Sequence, residues 1–456
     1  MDGTDDLPVI VESPPGRKAR MILERERALF HSEFLPERMR LLPLVVSNGR
    51  GAIVEDVDGN RYLDFVGFDY NLGHCPRQVV EAATGQLQKL MLFVGVVGTW
   101  ESYVRWAEKI RQIVPGKLKQ GKVASCVSGS ECVEYAMRVA RYATGRSVVL
   151  AYQGGFHGMT PGTMQITTKS SFLRKRLVPV IGEAVHVPYP YCFRCPLGQA
   201  YPQCGLKCVD YVRWILDTVV NDADVAALVF EPIQGAGGVI VPPVEYWKEI
   251  KKLCSDHDIL MIDDEIVTGF GRTGKWFAIE HWETEPDMIC MAKSIAWGMP
   301  IAAYVGQREL MEKHPPGSPG GMLSSFGGSP AACEASLAGI ALVEKENLLE
   351  NADRLGRHLR ARLEELKDRH PVIGDIRGMG LMTGIELVQD GKKNIPAPEL
   401  ARSICEQAFL RGLIVAQWGV YSQVVRMFPP LNIKKEQIDT AVGILDDALS
   451  SCTRKS

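Results

Sequence analysis

The sequence has 456 residues, of which 46% are hydrophobic and 23% are charged, and its formal net charge is −2. A chain of this length is expected to form two packed lobes. The near-neutral charge balance argues against a nucleic-acid partner, and no apolar run approaches the roughly 18 residues that span a bilayer. The N-terminal residues carry several acids and lack an apolar core, so we expect no secretory signal and a cytoplasmic protein.

The predicted elements change in character along the chain. Residues 1–16 are expected to form a loose arm, residues 19–30 a helix, and residues 51–66 a hairpin with its turn at Asp58-Gly59. From about residue 76 to 345, short apolar runs alternate with helical stretches, which predicts a largely parallel sheet buried on both faces. Amphipathic helices, one strand and a final helix follow, as in a smaller α+β lobe.

These changes divide the chain into three segments. Residues 1–75 are the N-terminal arm and a segment that packs with the small lobe. Residues 76–345 form the large domain, and residues 346–456 form the small C-terminal domain.

Four predicted strands end in residues that are unusual for a buried strand. Tyr152 closes SVVLAY, Glu231 follows VAALVF, Asp264 follows ILMID, and Lys293 follows MICMA. In open α/β sheets, ligands bind beyond the carboxyl ends of the strands. The sequence therefore predicts one site that contains an aromatic residue, two acids and a lysine.

Two of these residues fit the chemistry of a ring cofactor. An acid at a buried strand end is costly unless a cation neutralises it, and a protonated pyridine nitrogen is such a cation. Lys293 follows an apolar strand, where an amine loses hydration and can condense with an aldehyde. Asp264 and Lys293 together therefore indicate pyridoxal 5′-phosphate.

A phosphate site is predicted where Ser128, Gly129 and Ser130 precede an amphipathic helix. Backbone N–H groups and the helix dipole favour an anion there, and two hydroxyls can add hydrogen bonds. The alternative is that Ser130 merely caps the helix.

The run GFGRTG at residues 269–274 matches the dinucleotide-binding pattern GxGxxG. In a dinucleotide-binding unit the glycines follow the strand at once, whereas residues 263–268 intervene here. We therefore reject a nicotinamide cofactor.

The sequence contains twelve cysteines, and in a chain this long they favour reduced thiols over a disulfide scaffold. Four of them form two close pairs: Cys192, Cys195, Cys204 and Cys208. This spacing is compatible with a tetrahedral zinc or iron–sulfur site, and the alternative is a loop with buried or free thiols. We assign no metal, because the predicted catalysis does not require one.

The sequence resembles the class III (subgroup II) pyridoxal-phosphate aminotransferases over nearly the whole chain. The most specific part of this resemblance is the motif DEIVTGFGRTG followed by Lys293 in AKSIAWGMP. Supporting segments are SGSECVE, EPIQGAGG, FGGSP and VRMFPPL. The segment GRTGKWFAIEH resembles a prokaryotic 4-aminobutyrate and acetylornithine aminotransferase-like subgroup, which also contains amino-acid racemases. The resemblance implies an α/β fold of type I, with a mostly parallel seven-stranded sheet and a smaller α+β lobe. It also implies a homodimer, or a tetramer, with shared active sites.

The resemblance implies cofactor-binding roles at matching positions. Lys293 would be the Schiff-base lysine and proton shuttle, and Asp264 would be the partner of the ring nitrogen. Residues 128–130 would hold the phosphate, and Ser325 would reach the phosphate of the neighbouring subunit. Tyr152 would stack on the cofactor ring.

The resemblance also implies substrate-binding and supporting roles. Arg426 would bind a substrate carboxylate, because a guanidinium can bind both carboxylate oxygens. Phe68 would line the substrate pocket, and Trp297 would narrow its entrance. Glu231 would support the residues around Asp264, and Gln153 would replace the histidine that usually follows the stacking aromatic.

Ala236 bears on the type of reaction. Many relatives carry glutamate there, which pairs with the carboxylate-binding arginine, and related racemases tend to carry an acid in the same turn. With alanine, the resemblance implies that Arg426 binds a carboxylate in both half-reactions. The predicted function is therefore ping-pong transfer of an amino group from an amine or amino acid to an oxo acid, pyruvate or 2-oxoglutarate. The alternatives are an amino-acid racemase or epimerase and a non-catalytic binding protein of the same fold.

Overall fold

A computed structural model of the protein describes residues 6–31, 41–171, 173–174, 184–313, 324–389 and 392–453. Its helices are α1 (Arg17–Leu29), α2 (Arg77–Leu87), α3 (Glu101–Ile113), α4 (Gly129–Thr144), α5 (Pro161–Met164), α6 (Lys207–Thr218), α7 (Tyr246–Asp256), α8 (Arg308–Lys313), α9 (Pro330–Lys345), α10 (Leu348–Arg369), α11 (Pro398–Phe409) and α12 (Lys435–Thr453). Its strands are β1 (Val46–Arg50), β2 (Ile53–Asp56), β3 (Arg61–Asp64), β4 (Lys122–Cys126), β5 (Val148–Tyr152), β6 (Ala184–Val187), β7 (Val225–Phe230), β8 (Leu260–Asp264), β9 (Met288–Met291), β10 (Ala302–Gly306), β11 (Ile373–Met379), β12 (Met382–Gln389), β13 (Lys392–Pro396), β14 (Leu413–Ile414), β15 (Ala416–Trp418) and β16 (Val424–Met427).

The chain folds into two compact units. Residues 77–349 form the large unit, and residues 1–76 together with residues 350–456 form the small unit. The small unit is therefore built from both ends of the chain.

The large unit is organised around a seven-stranded sheet of order β4-β10-β9-β8-β7-β5-β6. Strands from β9 to β6 pair in parallel, and only β10 runs antiparallel to its neighbours β4 and β9 in this sheet. Strands β5, β7, β9 and β10 consist entirely of buried residues, as expected for strands covered on both faces. The predicted α/β class and the mostly parallel sheet are confirmed.

One core of the large unit lies between α4 and this sheet. Apolar side chains recur along the inner face of α4 and meet buried side chains of the strands: Val133, Met137, Ala140, Val149, Val229, Ile262 and Tyr304. This packing fixes the position of α4, so its N-terminus is held at a defined place near the strand ends.

The small unit contains two sheets. The first has the order β1-β2-β3-β14, and the second has the order β11-β12-β16-β15, with β13 also pairing with β12. Strands β2 and β3 form the predicted hairpin, and Gly59 in its turn has a φ of +90° that suits glycine. The predicted helix over 19–30 is α1, and the long amphipathic helix near residue 350 is α10.

The N-terminal arm differs from the prediction of a loose segment. Val9 and Arg61 exchange backbone hydrogen bonds of 2.9 and 2.8 Å, and the Val11 N–H donates to the side-chain oxygen of Asn60 at 2.8 Å. These bonds attach the arm to the edge of β3. Across the described segments, no helix combines the length and apolar character needed to cross a membrane.

Candidate active site

Four neighbouring parallel strands of the large unit end at the same edge of the sheet. Asp264 is the last residue of β8, Glu231 directly follows β7, and Lys293 follows β9 after one residue. Lys293 has a φ of +50°, in the left-handed region that side-chain-bearing residues seldom adopt. Such strain is most often retained at functional sites, which is consistent with a catalytic role for this lysine.

Asp264 is paired with a histidine that the sequence analysis did not select. Oδ2 of Asp264 lies 2.7 Å from Nδ1 of His157, and both side chains are buried. Oδ1 accepts the N–H of Ile266 at 3.2 Å. Burial lowers the pKa of His157, but the hydrogen bond and charge of Asp264, with the charge of Glu231, raise this pKa by more. The chain itself therefore supplies part of the positive charge that a buried Asp264 requires.

The loop that carries His157 connects three parts of the site. The Phe156 N–H donates to Glu231 Oε1 at 3.0 Å, and the Met159 N–H donates to Ser130 Oγ at 3.2 Å. His157 lies between these two residues and reaches Asp264. One short loop thus joins the end of β7, the end of β8 and the first turn of α4.

The predicted phosphate-binding residues lie at the start of α4. Ser128 is the N-cap, and its Oγ accepts the N–H of Glu131 at 3.2 Å, so the capping role belongs to Ser128 and not to Ser130. A Cβ at Gly129 would lie 2.8 Å from Ile266 Cδ1 and 3.5 Å from the Cβ of Ala292. The helix N-terminus is therefore close to the residues that follow Asp264 and precede Lys293, which suits a phosphate at this helix end.

Tyr152 does not fit the predicted role of stacking on a cofactor. Its ring lies edge-on to Tyr189, Tyr246 and Trp247 at centroid distances of 5.2, 6.3 and 5.7 Å, and its hydroxyl accepts a 3.0 Å hydrogen bond from Tyr246. The side chain is therefore enclosed in an aromatic cluster. The half-buried Phe156, adjacent to His157, is the better candidate for the stacking residue.

The assignment of Gln153 to the position of the family histidine changes for the same reason. Gln153 is exposed, whereas His157 is buried and bonded to Asp264. The segment contains two aromatic–x–Gly triplets, Tyr152-Gln153-Gly154 and Phe156-His157-Gly158, and the second occupies the site.

Glu231 supports the site through two backbone contacts. Oε1 accepts the N–H of Phe156 at 3.0 Å, and Oε2 accepts the N–H of Gly235 at 2.9 Å. Burial raises the pKa of Glu231 to about 7. The charge of His157 opposes this rise, and the charge of Asp264 adds to it. Glu231 therefore positions the His157 loop and the 233–239 turn.

The pKa of Glu231 should give the unfolding free energy a pH dependence. The folded protein keeps this proton at pH values where the unfolded chain has released it, so the stabilisation is present below the ordinary pKa and is lost as pH rises toward 7. We expect the unfolding free energy of the cofactor-free protein to fall by on the order of 3 kcal/mol between about pH 5 and about pH 8. Denaturant unfolding at several pH values measures this. Glu231→Gln should reduce this fall without abolishing it, because burial also raises the pKa of Glu265 to about 7. An unchanged curve in the variant would assign the effect elsewhere.

Trp297 is not positioned to narrow a substrate entrance. Its indole is buried, donates to the Ser336 carbonyl at 3.4 Å, and lies edge-on to Phe270 at 5.9 Å. A Cβ on Gly339 of α9 would collide with this indole. Trp297 is therefore a core residue that fills the space beside α9.

Arg426 and Phe68 lie together in the small unit. The Arg426 guanidinium carbon is 4.5 Å from the ring centroid of Phe68, 4.1 Å from that of Trp418 and 4.5 Å from that of Phe428. Arg426 is only 2% exposed. The aromatic rings fix the plane of the guanidinium through cation–π contacts, which suits planar recognition of a carboxylate. Trp418 and Phe428 were not selected from the sequence.

Ser325 is exposed in a turn before α9, and its role toward a neighbouring subunit stays a prediction.

The run GFGRTG at residues 269–274 forms turns after β8 and does not open a helix. A dinucleotide-binding glycine run would open one, which is consistent with rejection of a nicotinamide cofactor.

Comparison with known proteins identifies the family. The sequence model of the class-III aminotransferase family matches residues 34–449 of this chain. The chain belongs to the class-III aminotransferase family. This aminotransferase is 35% identical to the alanine/serine racemase of Pyrococcus horikoshii, over 97% of this chain and 93% of that protein. It is 37% identical to the 4-aminobutyrate aminotransferase GabT of Escherichia coli, over 88% of this chain and 92% of that protein.

A solved structure agrees with the family assignment. The chain aligns with a PLP-bound amine transaminase from an uncultivated Pseudomonas species with a TM-score of 0.86 and 29% identity, covering 93% of this chain and 98% of that chain. This class-III aminotransferase is thus a pyridoxal-phosphate enzyme, as the sequence predicted.

The described residues fit that cofactor. A carboxylate can accept about four hydrogen bonds, and His157 and Ile266 account for two of those made to Asp264. Asp264 can therefore also accept a hydrogen bond from a protonated pyridine nitrogen. The N-terminus of α4 would hold the phosphate, and Lys293 would supply the amine.

Proposed function

We propose that the protein transfers an amino group from an amine or amino acid to an oxo acid, pyruvate or 2-oxoglutarate. The main support for this proposal is that residues 231–238 offer no acidic side chain that is available for proton transfer. The only acid of this segment is Glu231, and both oxygens of Glu231 accept backbone N–H groups. A two-base racemase needs a proton donor or acceptor on the face of the substrate opposite Lys293, and this segment offers none.

Lys293, Asp264, His157 and Glu231 have separate roles in the proposed reaction. Bound pyridoxal phosphate supplies an electron sink for negative charge at the substrate Cα. Lys293 Nζ takes the proton from Cα and carries it to the next acceptor. Asp264 would keep a proton on the ring nitrogen of the cofactor, and His157 holds Asp264 in place through the 2.7 Å hydrogen bond. Glu231 positions the His157 loop, so its role is structural and not that of an acid or base.

Arg426 is proposed to select the acceptor. A guanidinium held flat among Phe68, Trp418 and Phe428 can offer paired N–H groups to a carboxylate. Pyruvate and 2-oxoglutarate both carry the carboxylate that this arrangement would recognise. The 37% identity to a 4-aminobutyrate aminotransferase supports an oxo-acid acceptor.

Racemisation is the second candidate, because several relatives are racemases or epimerases. The alanine/serine racemase, a leucine/methionine racemase of Thermococcus litoralis and an isoleucine 2-epimerase of Lentilactobacillus buchneri are 33–36% identical over 94–97% of this chain. The aminotransferase relatives have similar identities over 88–90% of the chain. Overall identity therefore does not separate the two activities, and the chemistry of the site must decide.

To decide between the two reactions, the enzyme is incubated with one enantiomer of alanine, leucine or isoleucine in the absence of an oxo acid. For an aminotransferase, we expect oxo acid in an amount limited to that of the enzyme, with the remaining amino acid enantiomerically pure. Added pyruvate or 2-oxoglutarate should then restore turnover. Accumulation of the opposite enantiomer without oxo acid would establish a racemase. 4-Aminobutyrate is a useful further donor because it has no stereocentre and can report only transamination.

A homodimer is also proposed, and exposed apolar residues of the large unit support it. The segment 91–97 exposes several large side chains: Met91, Phe93, Val94, Val96 and Val97. Phe326, next to Ser325, is 62% exposed. Apolar side chains concentrated in this way commonly mark an interface between subunits. A partner covering Phe326 would bring a second chain close to Ser325, in agreement with its predicted role.

A further inference from the structure

A loop of the small unit, residues 65–71, follows β3 and runs beside the end of β16. At the start of this loop, the Phe428 N–H donates to the Phe65 carbonyl oxygen at 2.6 Å. At its end, the Leu431 N–H donates to the Asn71 carbonyl oxygen at 2.7 Å. The 65–71 loop is therefore attached at both ends to the segment that follows β16.

The tip of the 65–71 loop carries Phe68 to the guanidinium of Arg426, with 4.5 Å between the ring centroid and the guanidinium carbon. The tip is closely packed. A Cβ at Gly67 would lie 3.2 Å from the carbonyl oxygen of Phe428 and 3.2 Å from Cε2 of Tyr70. A displacement of the Tyr70 ring would therefore reach Gly67 and, through the backbone, the neighbouring Phe68.

The carboxylate of Asp64, the last residue of β3, binds this loop from below. Its Oδ2 accepts the Tyr70 hydroxyl at 2.7 Å, and its Oδ1 accepts the Val66 N–H at 2.9 Å. Nε2 of His74 lies 2.8 Å from the same Oδ2, and the rings of His74 and Tyr70 are 4.5 Å apart between centroids. Asp64 is only 4% exposed, and hydrogen bonds to a charged acceptor are stronger than those between neutral groups. The Tyr70 hydroxyl thus closes the tip of the loop onto β3.

The three rings around Arg426 differ in what fixes them. Trp418 is the last residue of β15 and Phe428 directly follows β16, so sheet pairing fixes the backbone of both. Phe68 lies in a loop, and its position depends on the contacts of that loop. The bond between Tyr70 and Asp64 therefore does for Phe68 what the sheet does for the other two rings.

We propose that Tyr70 and Asp64 are positioning residues for the carboxylate of the acceptor. Their hydrogen bond holds Phe68 against Arg426 and so keeps the guanidinium in the plane that presents paired N–H groups to a carboxylate. This inference rests on the proposed function, because it takes Arg426 as the residue that binds the oxo acid. The two residues act on the binding of the oxo acid and not on proton transfer at Lys293.

The variant Tyr70→Phe tests the inference because it removes one hydroxyl and keeps the ring. We expect the KM for the accepted oxo acid to rise by roughly 3- to 10-fold, with kcat close to the wild-type value. The half-reaction with an amine that lacks a carboxylate should be unchanged. Added to Arg426→Ala, Tyr70→Phe should raise the KM no further, because both substitutions act on the same contact. Asp64→Ala is less suitable, since it also removes the acceptor of the Val66 N–H.

Tyr62 provides a matched control in the same unit. Its hydroxyl donates to Oδ2 of the buried Asp56 at 2.8 Å, so Tyr62→Phe removes the same type of hydrogen bond. This variant should lower the thermal unfolding temperature and leave the KM for the oxo acid unchanged. An unchanged KM in Tyr70→Phe, an equal rise in Tyr62→Phe, or a further rise when Tyr70→Phe is added to Arg426→Ala would each overturn the inference.

A binding measurement separates this inference from the proposed function. Glutarate and propanoate match 2-oxoglutarate and pyruvate but lack the carbonyl that reacts, and each is titrated into the holoenzyme by calorimetry. For the analogue of the accepted oxo acid, we expect weaker binding in Tyr70→Phe and still weaker binding in Arg426→Ala. Weaker binding in Arg426→Ala alone would overturn the inference and leave the proposed function intact. Undiminished binding in Arg426→Ala, or no turnover with either oxo acid, would overturn both.

Discussion

Replacing Lys293 with alanine is expected to reduce turnover by on the order of 10³-fold or more. The substitution removes both the amine that attaches the cofactor and the group that moves the substrate proton. Borohydride treatment of the wild-type enzyme, followed by peptide mapping, should find the reduced cofactor on residue 293. The Lys293→Ala variant should show no such adduct and should lose the visible absorbance of the attached cofactor.

Lys345→Ala is a suitable control because this exposed lysine lies at the end of α9. It should keep wild-type turnover and the same mapped peptide. An adduct on another lysine, or normal turnover in Lys293→Ala, would show that the amine has been assigned to the wrong residue.

Replacing Arg426 with alanine should raise the KM for pyruvate or 2-oxoglutarate by roughly 10- to 100-fold. That range corresponds to the loss of about 1.5–3 kcal/mol from hydrogen bonds between charged groups. The half-reaction with an amine that lacks a carboxylate should change little. Steady-state kinetics with the acceptor and single-turnover kinetics with the amine separate the two effects. Arg426→Lys, which keeps the charge but loses the planar fork, should give an intermediate KM.

The control for Arg426 is another arginine of the same sheet. Arg377 in β11 pairs with Glu386 at 2.7 Å and with Asp375 at 2.9 Å. Arg377→Ala removes a structural ion pair, so it should lower stability and affect acceptor and amine alike. If Arg426→Ala also affected both substrates equally, its role would be structural rather than selective.

Much of the large unit could be predicted because its strands are short apolar runs separated by helical stretches. The runs that end near Tyr152, Glu231, Asp264 and Lys293 all form adjacent parallel strands. Their common edge follows from the rule that parallel strands end on the same side. The antiparallel direction of β10 could not be deduced, because its apolar sequence is indistinguishable from that of its neighbours.

The side-chain errors at the site have a different origin. Tyr152 was chosen because it closes a strand, but the identity of the end residue does not reveal which face its side chain joins. The aromatic–x–Gly triplet occurs twice within seven residues, and the sequence analysis assigned the site to the first triplet, with Gln153, although the second, with His157, occupies it. The decisive contact is long-range, because His157 and Asp264 are 107 positions apart.

The contact between Trp297 and Gly339 has a consequence for engineering. A designer who wished to admit a bulkier donor could choose Trp297, since it lies four residues after the reactive lysine and is large. Shortening it would instead open a void beside α9. A larger side chain at position 339 would occupy the space that the indole fills. A smaller residue at position 297 should therefore be combined with a larger one at position 339, so that the total side-chain volume is kept.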